Sequence, residues 1–138
     1  MNEMLLSAES RQTAGILLLA IVAVESGGAY MLRVVRGRKR LTGFQQAFAR
    51  AGHAHAGVLV TLALVAQILM DSADVSGVLA SFARNGIPLA AILMPAGFFF
   101  SSAGAEAREP NRFIVLLYAG AVSLAVGAVS LGVSLLAA

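Results

Sequence analysis

The chain has 138 residues, a formal charge of +3 and no cysteine, and 59% of it is hydrophobic. A mean hydropathy of +0.84 is too apolar for an ordinary soluble domain. The missing thiols exclude disulfides, iron–sulfur clusters, thiolate zinc sites and thiol catalysis by this chain. The basic balance does not point to nucleic acid, because in so apolar a chain the charges orient the protein in a bilayer.

Four apolar stretches carry the sequence: 13–35, 53–70, 86–103 and 113–138. About 20 apolar residues match the roughly 30 Å hydrocarbon core of a membrane. Backbone polar groups in lipid must be satisfied within the segment, so each stretch is expected to be helical. The expected fold class is all-α: one integral membrane domain over residues 1–138, with four transmembrane helices in a compact up-down bundle.

Residues 1–12 carry Glu3 and Glu9 against one cation, Arg11. That is unlike the positive n-region of a signal peptide, so the first span is expected to stay in the mature protein. Arg33, Arg36, Arg38, Lys39, Arg40, Arg50, Arg108 and Arg112 fall on one side of the predicted spans, and only Arg11 and Arg84 on the other. The positive-inside rule then predicts both termini outside a cell (inner) membrane, with the basic loop 36–40 and the loop 106–112 in the cytoplasm. Topology and contact with anionic lipid heads account for the basic loop. A binding patch for an anionic partner is the sharper alternative.

Glu25 lies inside the first span. It sits about 10 Å from the expected cytoplasmic edge at Leu32. A carboxylate at that depth must be paired, protonated or in a wet cavity. It reads either as a proton- or cation-handling group or as a bonding partner that holds the helices together. Ser26, Gly27 and Gly28 follow and leave room around it.

The residues Gly43–Arg50 read as an interfacial first turn leading into the second helix, with Phe44, Ala47 and Phe48 at helical spacing. The second span then opens on Gly52-His53-Ala54-His55-Ala56-Gly57. His55 lies roughly 8 Å inside the membrane edge, close to the depth of Glu25. A histidine beside a carboxylate titrates near neutral pH and can pass a proton or hold a metal. On a regular helix His53 and His55 point about 200° apart, so they do not share one ion without unwinding. Over about six residues the pair resembles the histidine helix of small four-helix relatives of haem–copper oxidase subunit I. That resemblance implies haem or metal ligation by His53 and His55. The further histidines of such centres are missing here, so a second copy or another subunit would supply the opposite ligand. Gln67, on the face of His53 and Val60, reads as a cross-helix hydrogen-bonding residue.

Between spans two and three, Asp71 or Ser72 is expected to cap a short interfacial helix on Val75, Val78, Leu79 and Phe82. Arg84-Asn85-Gly86 is expected to break it from the third span. The alternative starts the third span near Val75. Pro88 is placed in the first turn and Pro95 in the interior, where it frees the carbonyl of Ala91. Phe98, Phe99 and Phe100 read as an aromatic belt.

In the fourth span Gly120, Ser123, Gly127, Ser130 and Ser134 recur at steps of 3, 4, 3 and 4. Such a small-residue seam lets helix backbones approach closely. Ala121, Ala125, Ala128 and Gly132 form a second small face beside it.

No nucleophile triad, phosphate loop, HExxH or paired-carboxylate arrangement is present, so an enzyme is not expected. Three functions fit the residues. The first is an oligomeric transport- or channel-type protein with Glu25, His53 and His55 as its polar site. The second is a haem- or metal-binding accessory of membrane electron transfer. The third is a non-catalytic subunit docked on a larger membrane complex through its small-residue face.

Overall fold

The computed structural model describes residues 6–73 and 75–137. Four helices follow in order: α1 (Ala8–Val35), α2 (Gly43–Ser72), α3 (Val78–Ser101) and α4 (Ile114–Ala137). All four are long and apolar enough to cross a membrane. Glu3 of the acidic N-terminal segment, Asp74, and Ala138 at the end of the fourth predicted span lie outside the described residues.

Caps explain where the helices begin. Ser7 caps α1, its hydroxyl accepting from the Ser10 N–H at 3.2 Å, so the helix opens five residues before Thr13. Gly37, at φ 70°, turns the chain after α1 ends. Thr42 and Gln45 form a reciprocal capping box that starts α2 at Gly43. The segment 43–50 therefore forms the first two turns of α2 and leads straight into the second span, as its helical spacing implies.

A second departure concerns α3. It begins at Val78, after Gly77 at φ 80°, and runs unbroken through Arg84-Asn85-Gly86. No separate helix spans 71–85, and Asp71 and Ser72 belong to the last turn of α2. The glycine that signals a break serves packing instead. A methyl group at Gly86 would lie 2.6 Å from the Gly127 Cα of α4. The Ser123 hydroxyl donates to the Gly86 carbonyl at 2.8 Å. Pro88 consequently falls in the helix interior, not in the first turn.

The helices pack in chain order: α1 on α2, α2 on α3, and α3 on α4, the last being the most extensive pair. Residues 59, 63, 66 and 70 of α2 meet residues 83, 87 and 94 of α3 in the core. Against α3, α4 lays Gly120, Ser123 and Gly127; Ser130 is buried, and Ser134 bonds back to its own helix at the Ser130 carbonyl (2.8 Å). Gly97 of α3 meets the Leu117 backbone, and Gly120 faces Met94. The second small face behaves differently. Ala121 packs against the core, but Ala125 and Ala128 are exposed and nothing lies within 4 Å of a methyl group placed on Gly132.

This asymmetry predicts the outcome of two matched substitutions. Gly127→Leu should lower stability by about 1–3 kcal/mol, the usual cost of forcing extra methylenes into a filled interface. Gly132→Leu should change it little. Reversible unfolding in mixed micelles measures both, and equal losses would contradict the packing.

Candidate functional site

Two polar regions lie at opposite ends of the helices, and the residues singled out in the sequence lie between them. At the end formed by the start of α1, the end of α2 and the first half of α3, Arg84 reaches three partners. Its guanidinium donates to the Ser10 hydroxyl at 2.5 Å and to the Asp71 carboxylate at 3.2 Å, and lies 3.3 Å from the Glu9 carboxylate. Asp71 also accepts from the Ser7 N–H at 2.7 Å, which places its charge at the positive end of the α1 dipole. The Arg84 side chain is 17% exposed and that of Asp71 9%.

The origin of this latch is Pro88. A proline has no N–H for the carbonyl four residues earlier. That carbonyl belongs to Arg84, and the Gln67 side-chain amide donates to it at 3.0 Å. Gln67 is fully buried, and its Oε1 accepts from the equally buried Ser10 hydroxyl at 3.4 Å. Among the described residues no buried side-chain nitrogen or oxygen lacks a partner. Arg84, which in the sequence registers as topological charge and part of a break, and Asp71, which registers as a cap, are the centre of this network. The i, i+4 relation of Arg84 to Pro88 is the signal that points to a partner amide. Ser10 carries no comparable signal.

Glu25, His53 and His55 are not drawn together. Glu25 is exposed on α1 and, among the described residues, makes no hydrogen bond or ion pair. His53 lies against α1, where its Nδ1 would be 3.1 Å from a methyl group at Gly27. His55 turns toward α3: its ring lies 4.9 Å from that of Phe98, and its Nδ1 is 2.7 Å from the Ala51 carbonyl. The two imidazoles thus face different neighbours. Among the described residues no three His, Asp or Glu side chains converge as a metal-binding group. A groove of about 580 Å³ opens along the α1–α2 seam, lined by Val24, His53, Ala54, Gly57, Val58 and Thr61. Its walls are almost wholly apolar apart from His53 and Thr61.

The other end carries the basic loops. Here Phe98 also packs on Phe48, with ring centroids 5.4 Å apart, and Phe48 on Phe44 at 4.3 Å. Phe98 therefore faces α2, whereas Phe100 is exposed. The loop 36–42 is fastened to the loop 102–113. The Thr42 hydroxyl donates to the Ala107 carbonyl at 2.5 Å, and the Gln45 amide donates to Ser102 and Gly104 carbonyls at 3.1 and 2.9 Å. These loops border an open cavity of about 620 Å³ against α1 and α2, lined in part by Tyr30, Lys39, Arg40, Phe99 and Glu106.

No family model matches the sequence, and no curated protein or solved structure is detectably similar to it.

The Gln67–Arg84 link makes a sharp prediction. Gln67→Leu should cost about 1–3 kcal/mol, because it leaves a buried carbonyl without a donor. In a Pro88→Ala background the helix supplies its own N–H, and the same substitution should cost much less. A double-mutant cycle on unfolding free energy measures the difference. Additive losses would refute the link.

Proposed function

We propose that the chain is a four-span integral membrane protein, in up-down order with both termini outside and loop 36–40 cytoplasmic. In this reading it works as an oligomer of transport or channel type. Glu25 and His53 form a proton- or cation-handling site that is completed only between copies.

The observation that carries this reading is Glu25 itself. It is exposed on α1 and ten residues, about 15 Å, short of Val35. An ionisable group facing lipid at that depth costs a few kcal/mol or more, and such groups normally face a protein partner or water. Its own chain offers it none among the described residues. The groove holding His53 opens beside it, since Val24, the preceding residue, lines that groove. Gly27 and Gly28 lie against His53, so Glu25 and His53 share one level along the helices. A two-fold axis along the membrane normal would then face each Glu25 with the other copy's His53, twice per dimer. An imidazole can take a proton on one ring nitrogen and give one from the other, so a carboxylate–imidazole pair suits a relay.

The bare outer faces of α1 and α4 support a second reading, a non-catalytic subunit docked on a larger membrane complex. Isolation under mild detergent separates the two. A self-associated species supports the first, and a stoichiometric foreign subunit lost with Gly132→Leu supports the second.

The cysteine-free background allows a direct test of the first reading. Glu25→Cys and Ala54→Cys proteins, mixed in liposomes and mildly oxidised, should form a cross-copy disulfide. In vesicles carrying a pH dye, Glu25→Gln should slow proton or cation flux at least tenfold without changing insertion. A monomer throughout, with flux indifferent to Glu25, would refute the proposal.

A further inference from the structure

The cavity at the basic end is built from groups of both charge signs held in a fixed frame. Lys39 and Arg40 line one part of it and Glu106 another. Among the described residues none of the three enters an ion pair. The frame is rigid because Gln45 is fully committed. Its amide bridges the Ser102 and Gly104 carbonyls, and its Oε1 accepts from the Thr42 N–H at 3.1 Å. Thr42 ties the same two loops a second time through the Ala107 carbonyl. Glu106 is the sole described non-glycine residue at positive φ, 51°. That conformation costs a non-glycine residue of order 1 kcal/mol or more, and strain of this kind gathers at ligand sites. Phe99, Leu41 and Ala49 add an aromatic and aliphatic part to the lining. The volume suits a small ligand.

Two unpaired cations and one unpaired carboxylate around one cavity match a ligand that carries a phosphate and an amine together. We propose that this cavity binds the headgroup of an aminophospholipid. Its phosphate lies toward Lys39 and Arg40, its ammonium toward Glu106, and the first part of its acyl chains runs along Phe99. A soluble amine-bearing phosphate shares the polar half of this chemistry but lacks the chains that the apolar part of the lining accommodates. The site stands independently of any role for Glu25.

Native mass spectrometry of the full chain in mild detergent tests the assignment. The probes are short-chain phosphatidylethanolamine, phosphatidylcholine and phosphatidylglycerol. The ethanolamine lipid should bind about tenfold better than the choline lipid, whose methylated nitrogen has no N–H to give a carboxylate. Glu106→Gln should erase that preference while the protein stays folded. Joint Lys39→Gln and Arg40→Gln should lose the lipid adduct. Should soluble phosphoethanolamine displace the lipid and remain bound, the phosphate–amine site holds with a soluble occupant. Failure to displace it assigns the site to lipid. Equal binding of the three lipids, or adducts unchanged in the Lys39/Arg40 double variant, would overturn the proposal.

Discussion

One missing N–H organises one end of this molecule. Pro88 leaves the Arg84 carbonyl without its helical donor, and Gln67 of the neighbouring helix supplies the replacement. Gln67 then has an oxygen to satisfy, which Ser10 of α1 does, and Ser10 in turn accepts from the Arg84 guanidinium. Three helices meet in a closed polar circuit. α1 buries few residues of its own, chiefly Leu17 and Val34 besides Ser10. Its position therefore depends on this circuit at one end and on the fit of His53 against Gly27 and Gly28 at the other. Those two fixings set the rotation of α1, and that rotation leaves Glu25 on the outside.

The remaining contacts follow a different logic. Between α3 and α4 the contact is backbone against backbone, at Gly86 with Gly127 and at Gly97 with Leu117. Association in lipid gains little from burying apolar surface, so close approach and dispersion must do the work. Removing side chains at the contact is what permits them. The same reasoning explains why Gly86 sits inside a helix although glycine is a poor helix former.

The sequence makes the four helices legible because hydropathy over about 20 residues is a strong signal. Their ends are less legible, for identifiable reasons. Ser10 lies before the first apolar stretch and Asp71 reads as the cap of a following helix, yet hydrogen bonds from distant segments hold both within α1 and α2. Arg84-Asn85-Gly86 has the composition of a turn, and only the presence of α4 makes a helix there favourable. The depth of Glu25 and the opposed directions of His53 and His55 can be reckoned from helical geometry. Which helix each histidine faces cannot, because that depends on how neighbouring helices are rotated. The cavity near Lys39 and Glu106 is invisible to local pattern, since its walls come from segments some 65 residues apart, as the Thr42–Ala107 bond shows.

The latch also imposes an order on biogenesis. Arg84 is the one cation in the described part of α3, and its anions, Glu9 and Asp71, both precede it in the chain. During synthesis from the N-terminus the carboxylates are therefore made first. The guanidinium is made after both of its counter-charges, so the latch closes only once the third helix has been synthesised.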